Sequence, residues 1–434
     1  MHSNKNTKHN FFTKPYFFIA LRYLTGKDKK GSRYLLGAAS GIALSLIPIM
    51  VTLIVTDGMI QGITDRFIEL GTGHIQVWPY SNMLNKEAKM TDAKELLESI
   101  DTVKNVWEEK QGLGLIVSAK GKTGATVRAV DASFWKEAGS EKYLTVVQGS
   151  IDISDRDVLL GKGLAENIGA QVGKTLRIMT VRTSEDGRSI PMTNIFTVKG
   201  IISSGYHELD SMWCIVNLEA GEKIFQSGNC YTYLTAKLYK PYRDSMVTAY
   251  TIDANIEGQF GIYTWKDLMR SQYSSYESTR QMLLLIMALI VLVASVNVSS
   301  ATSMLVIERG REIAVLKSFG CEPHEIKSIF VCGSFLTGVC GIIPGTAAGL
   351  FLGCNINNII HGLERFLNIF TTLFKKNEVR ILDPGFYLEN IPIVVDVKMV
   401  VIICIFTIVC ALVSSIMPAS SAAKTKPIEL IRKY

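Results

Sequence analysis

Apolar and polar positions alternate along this chain in long blocks. Four runs are almost purely apolar: Leu35–Thr56, Met282–Ile307, Ser328–Ile360 and Met399–Met417. The second and third contain no Asp, Glu, Lys or Arg. Each run approaches or exceeds the roughly 20 apolar residues that carry a helix across a bilayer. The pattern predicts an α-helical membrane protein with four spans and a large α+β domain between the first and second. The expected segments are 1–34 (N-terminus with an amphipathic elbow helix), 35–56 (first span), 57–281 (outer domain), 282–307 (second span) and 308–327 (charged loop). They continue with 328–360 (third span), 361–396 (outer loop), 397–418 (fourth span) and 419–434 (tail).

Within 57–281 the periodicity changes several times. DGMIQGITDRFIEL continues the first helix, and GHIQVWP reads as a strand. Asp92 and Glu95 in TDAKELLES have the spacing of a capping box that opens a helix. Strand-like runs follow at Leu113–Ala119, Ala125–Val130, Thr175–Arg182, Ile195–Ile202 and Trp213–Val216. Strands mixed with a few helices predict an α+β domain. Thr183–Met192 joins two of these runs as a protruding hairpin loop. From about 266 to 307 no Pro or Gly intervenes, so one long helix is expected to enter the second span. Such a helix would carry movement between the outer domain and the charged loop. In the first span Gly37, Gly41 and Ser45 form a small-residue face, and Pro48 is a candidate kink. The third span is rich in Gly, another packing signature.

Charge fixes an orientation. Hydrophobic residues make up 48% of the chain, and the net charge of +7 is concentrated beside spans. Eight Lys or Arg precede the first run against Asp28 alone, and Lys424, Lys426, Arg432 and Lys433 follow the last against Glu429. Basic residues flanking spans place both ends in the cytoplasm and favour anionic lipid there. Because each cluster abuts a span, a nucleic-acid role is disfavoured. Pro15–Leu24 reads as an elbow helix on the membrane surface. A signal peptide is disfavoured, since the next apolar block is long and no small-residue cleavage site ends it. Of eight cysteines, five lie in apolar runs and Cys321 in the charged loop. Cys214 and Cys230 lie in the outer domain, where an oxidising compartment would permit a disulfide.

The segment Glu308–Gly320, ERGREIAVLKSFG, is a short amphipathic helix between two spans. Ile313, Leu316, Phe319 and Gly320 are expected to share one face. Gly320 would end the helix and Pro323 support the stop. It reads either as a solvated turn or as a docking helix for a partner. Other chemistry is sparse. GAQVGKT at Gly169–Thr175 is one residue short of a phosphate loop, and strand-like LRIMTVRT follows where a helix is needed. Its glycines, with Gly161 and Gly163, read as turn residues. No catalytic motif, cofactor site or metal-ligand cluster stands out. Carboxylates do not occur within the spans, and Asp57 and Asp396 at span ends are expected to be solvated, so a proton relay is not indicated. A large outer domain on spans without an energy source implies an energising partner.

Several strings resemble one family, the ABC-transporter permeases that include lipoprotein-releasing subunits, MacB-type exporters and FtsX-like proteins. They are IALRYLTGKDKKGSRYL, TDGMIQGITDRFIELGTGHIQV, LLGKGLAENIGAQVGKTLRI, FTVKGIISSGYHELDS, ERGREIAVLKSFGCEPHEI, FYLENIPIVVD and PASSAAKTKPIELIRKY. Of these, GYHELDS and YLENIPIVVD resemble the lipoprotein-releasing branch most narrowly. The resemblance implies a non-catalytic inner-membrane subunit, with ATP and Mg on a separate ATPase dimer and no cofactor on this chain. Its implied partners are that ATPase, a second permease copy or paralogue, triacylated lipoprotein cargo and a periplasmic carrier.

By this resemblance the coupling helix would act through Arg309, Glu312, Ile313, Leu316 and Lys317. Acyl chains would lie against Ile47, Met50, Leu53 and Ile54 of the first span and Met282, Leu285, Ile286 and Leu289 of the second. The family's carrier-recruiting hook corresponds to the 183–192 loop, short here, with Ser184, Asp186, Arg188 and Pro191 as candidate contacts. The competing expectations are a MacB-like tripartite efflux permease and an FtsX-like regulator of a cell-wall hydrolase.

Overall fold

The computed structural model describes residues 18–22, 29–80, 86–183, 188–225, 230–256, 260–373, 388 and 390–424. The chain forms two compact units. One comprises Met1–Gly58, Glu277–Leu363 and Ile393–Tyr434, the other Met59–Tyr276 and Glu364–Pro392.

The first unit is helical. Its elements are α1 (Lys29–Arg66), α2 (Arg270–Glu308), α3 (Gly310–Ser318), α4 (Pro323–Cys354), α5 (Ile356–Leu373) and α6 (Val397–Lys424), of which α1, α2 and α5 run across a unit boundary. Among the described residues four helices, within Arg33–Gly71, Arg270–Glu308, Pro323–Cys354 and Val397–Lys424, are long and apolar enough to cross a membrane. The helices outrun the apolar runs because charged residues beyond a span still favour helix once a turn is nucleated. Helix α1 passes through Pro48. Helix α4 starts at Pro323, where a Glu322/Glu325 capping box and a proline at the first position set its start. Pro323 therefore opens the third long helix as well as following the stop of α3.

Packing in this unit depends on small residues. Gly341, Gly345, Gly349 and Gly353 recur every four positions on one face of α4. A Cβ on Gly341 would lie 2.6 Å from the Ala39 carbonyl oxygen, and one on Gly345 2.7 Å from Ala43 Cα. At Gly349 it would meet Met50 Cβ at 2.7 Å, and at Gly353 it would collide with Ile54. The backbone of α4 thus rests directly on α1, which maximises dispersion contacts where lipid offers no hydrophobic driving force. The small-residue face expected on the first span is not the one used: Gly37 has open space around it, and Gly41 has only Asn297 nearby. Ile42, Leu46, Met50 and Leu53 fill a core with Met287, Val291, Val298, Ile342, Ile403 and Ala411. Two buried or half-buried hydroxyl pairs cross between helices, Thr302 with Ser334 at 3.1 Å and Ser414 donating to Ser295 at 2.9 Å.

The second unit is built on a ten-stranded mixed sheet. Its strands are β1 (Ile75–Pro79), β2 (Val103–Val117), β3 (Lys122–Val130), β4 (Thr145–Gly149), β5 (Asp157–Gly161), β6 (Thr175–Thr183), β7 (Ser189–Ser203), β8 (Trp213–Asn217), β9 (Tyr231–Leu238) and β10 (Phe260–Thr264). The order is β10-β1-β9-β2-β3-β8-β5-β7-β4, with β6 pairing β2 and β7. The β3–β8 and β5–β7 pairs are parallel and the rest antiparallel. One core gathers Ile116, Val127, Leu160, Leu164, Ile178, Phe196, Val198 and Val216. Short helices such as Lys162–Ile168 and Leu218–Ile224 close its faces.

Sequence expectations and structure part at identifiable places. The helix around Asp92 spans Lys86–Glu98, so Asp92 and Glu95 are interior residues and the capping-box assignment does not hold. Strands β4, β5, β9 and β10 are short or interleaved with polar residues and escaped the periodicity. The expected helix from about 266 is interrupted by a turn at Met269, between Trp265–Leu268 and α2, although Tyr273 N still donates to the Met269 carbonyl at 2.8 Å. Gly169 and Gly173 are turn residues with φ of +62° and +81°, and β6 follows them. Gly161 and Gly163 serve instead as close-approach positions: a Cβ on Gly161 would collide with the Asp210 backbone, and one on Gly163 would lie 3.0 Å from His207.

The end of α1 is tied into this sheet by buried charge. A π-helical turn, Phe67–Gly71, finishes the helix. Glu69 accepts from Lys237 Nζ at 2.6 Å and faces His74 Nε2 at 3.1 Å, while His74 Nδ1 accepts from Leu238 N at 2.8 Å. Arg128 donates to Glu109 at 2.5 Å and to the Leu70 carbonyl at 2.6 Å. Lys237, Arg128 and Glu109 are buried charges beside the buried His74, so each charge needs its partner.

Two substitutions test the helix contact. Gly349→Leu is expected to destabilise the full chain by about 1–3 kcal/mol through overpacking against Met50. Gly333→Ala, at a position with open space around it, is expected to be neutral. Thermal unfolding in detergent reads both.

Candidate functional site

Two regions of the first unit hold predicted site residues, and a third holds an ion cluster. The first is α3. Arg309 is the N-cap of a nine-residue helix and pairs with Glu312. Ile313 and Ala314 are buried, and Ile313 packs in a core with Leu35, Leu305, Ile326, Phe330 and Ala419. Lys317 Nζ donates to the Ala423 carbonyl at 2.9 Å, at the end of α6. The helix closes where Gly320, at φ +91°, lets Gly320 N and Cys321 N return to the carbonyls of Lys317 and Leu316. Of the expected common face, Ile313 and Leu316 pack against the same core, but Phe319 does not join them. Six residues after buried Ile313, at 3.6 residues per turn, Phe319 is turned away and is 85% exposed. The exposed row is Arg311, Val315, Ser318 and Phe319. Thus Ile313 and Lys317 seat the helix on its own chain, and a different set faces outward. The spacing of Arg311, Val315 and Phe319, each four apart, was the signal available in the sequence.

The second region holds the predicted cavity residues. Met50, Leu53 and Ile54 are buried, with Met50 and Ile54 against α4 glycines, and Ile47 is half-buried beside Gly349. Met282, Leu285, Ile286 and Leu289 lie on one face of α2 and are all exposed, Met282 at 68%. The structure does not bring the two sets together. The α1 set is occupied in packing, and the α2 set is an open apolar face.

The third region corrects the expectation of simple solvation for Asp57 and Asp396. Arg280 Nη2 donates to Asp57 Oδ2 at 3.1 Å and its Nε lies 2.9 Å from Oδ1. Its Nη2 also lies 3.9 Å from Asp396 Oδ2. One guanidinium therefore gathers carboxylates from α1 and from the approach to α6. Sequence reasoning missed it because the three residues are far apart in the chain.

In the second unit, Ser184 and Asp186 of the predicted contact loop lie outside the described residues, while Arg188 and Pro191 are exposed. At the base of that β6–β7 ribbon is a cavity of about 960 Å³, lined by Leu113, Leu115, Met179, Val181, Met192 and Tyr231 among others. Gly112, Gly114 and Gly124 border it, and the sequence signal that could have marked it is this cluster of glycines in strands. The GYHELDS string builds a turn. Asp210 accepts from Ser203 Oγ at 2.6 Å and from Ser204 N and Oγ at 2.7 Å, with Gly205 at φ +70°. Burial pushes the Asp210 carboxyl above its usual range, opposed by these donors. Cys214, central in β8, and Cys230, at the start of β9, are both free thiols, and burial raises that of Cys214. Among the described residues no group of three His, Cys, Asp or Glu is placed to hold a metal ion.

Four long apolar helices, a short amphipathic helix between the second and third, and a mixed-sheet domain define a permease-type membrane protein. Residues 284–427 match the FtsX-like permease C-terminal model, and residues 35–242 match the MacB-like periplasmic core domain. The chain is thus similar to FtsX-like permeases over its C-terminal part and to MacB-like core domains over residues 35–242. It is 24% identical over 428 residues to the lipoprotein-releasing system transmembrane protein LolC of Neisseria meningitidis serogroup B, covering 96% of this chain and 98% of that one. LolC of Xylella fastidiosa is also 24% identical, over 431 residues, 95% of this chain and 98% of the relative. LolE of Haemophilus influenzae is 20% identical over 447 residues, covering 96% and 99%.

Two substitutions separate seating from surface here. Ile313→Asp buries a charge without a partner and is expected to destabilise the chain by several kcal/mol, about 3 or more. Arg280→Gln leaves two carboxylates facing each other, and thermal unfolding should register a loss of about 1 kcal/mol for this half-exposed group.

Proposed function

We propose that this chain is the permease subunit of an ATP-driven lipoprotein-releasing transporter, which extracts lipoproteins from the inner membrane and passes them to a periplasmic carrier. The observation that carries this reading is the similarity to lipoprotein-releasing LolC proteins along nearly the full length of both chains. In this reading both termini are cytoplasmic and the sheet domain lies in the periplasm, between the first and second spans. The basic N-terminus and tail support that orientation.

ATP and Mg belong to a separate ATPase chain, and the near-phosphate-loop string here is a turn followed by a strand. The ATPase docks on α3 through its outward row, Arg311, Val315 and Phe319, while Ile313 and Lys317 transmit the load because they are fixed to α4, α6 and the end of α2. A second permease completes the transporter. The exposed α2 face, Met282, Leu285, Ile286 and Leu289, is the cargo-facing wall on this chain, where acyl chains find apolar surface without displacing existing packing. The carrier contacts the β6–β7 ribbon, with Arg188 and Pro191 at its described edge.

The test is mass spectrometry of the gently solubilised complex purified with its ATPase. Triacylated lipoproteins, bound and then released on adding ATP and a carrier, are the expected result. Recovery of a membrane-fusion adaptor or a cell-wall hydrolase, with no lipoprotein, would overturn the reading. Within it, Phe319→Ala and Val315→Asp are expected to lower release at least several-fold with thermal stability unchanged. Unchanged release in both would remove α3's outward row from the ATPase contact.

A further inference from the structure

Residues 361–396 are polar enough to be read as a loop, yet the chain forms α5 (Ile356–Leu373) at once after α4, with Asn355 alone between them. At about 100° per residue, Ile356, Ile359, Ile360, Leu363 and Leu367 fall within an arc of about 100°. Asn357, Asn358, His361, Glu364, Arg365 and Asn368 occupy the opposite arc. This is the pattern of a helix made for a boundary between water and hydrocarbon. The apolar arc is not consumed by packing: Ile359 is 40% and Leu363 48% exposed.

Position identifies what covers it. From Ser328 to Cys354 helix α4 has no charge, and these roughly 27 residues span about 40 Å at 1.5 Å per residue. That matches the 40–45 Å of a bilayer with its headgroups. The far end of α4 therefore reaches the headgroup layer on the side opposite α3. One turn before that end Phe351 is 69% exposed, so apolar surface faces outward up to the same level. A single intervening residue, at most about 3.8 Å, cannot carry the chain away from it.

We infer that α5 lies in the membrane interface of the leaflet opposite α3, with Ile359 and Leu363 in the acyl boundary and Arg365 in water or headgroups. Its partner is phospholipid, and it acts as a surface float that fixes the depth of the α4 end. The inference rests on α4 crossing a bilayer and is independent of which cargo is carried.

The experiment uses the full chain with the photoreactive residue benzoylphenylalanine placed singly at 359, 363, 361 or 365, in nanodiscs of phosphatidylethanolamine and phosphatidylglycerol. After illumination, intact-mass measurement reads the adducts. Phospholipid adducts at 359 and 363, several-fold above those at 361 and 365, are expected. Equal lipid labelling on both faces, or none, would overturn the inference. Adducts at 359 and 363 to a second copy of the chain would also overturn it. Each variant is scored only as a monodisperse protein with the parent's unfolding temperature, and the two apolar-face sites make the result independent of either one.

Discussion

The close approach of α4 to α1 is the constraint on which the helical unit depends. Four glycines at successive four-residue intervals leave no Cβ at four points of the contact, so the larger side chains of α1, Ile42, Met50 and Ile54, seat against bare backbone there. In lipid the gain comes from contact and not from expelling water, and contact falls steeply with separation. A single added side chain would part the helices along several turns. With α1 and α4 joined, α2 and α6 complete the core through Val291, Val298, Ile403 and Ala411.

The sheet unit relies on a different force. The end of α1 enters it as a π-helical turn whose Glu69 is held by Lys237 and His74, and Arg128 reaches both Glu109 and the Leu70 carbonyl. Removing one member would strand a buried charge, which costs more than the pair contributes. Such clusters favour one seating of the turn over its neighbours.

A contrast between fixed and exposed residues runs through α3. Ile313 is fixed by burial, and Lys317 by its bond to the Ala423 carbonyl. Phe319 instead is exposed. Packed and exposed residues are drawn from the same short stretch, so residue type alone does not separate them.

The sequence by itself determined the four long helices, the sheet-rich domain between two of them and the amphipathic segment at Glu308–Gly320, because these rest on periodicity and run length, which are local properties. It also marked the α4 glycines as a packing face. It did not determine what that face meets, since Gly37 and Gly41 were equally eligible by spacing. Only tertiary structure decided that Met50 and Ile54 are packed while Met282 and Leu285 are open, and that Asp57, Arg280 and Asp396 converge. The helix α5 was obscured by its polar half, β9 by its interleaved polar residues and β10 by its brevity. Both strands pair with partners more than a hundred residues away. Contacts between distant positions are set by the path of the whole chain, and no local pattern carries them.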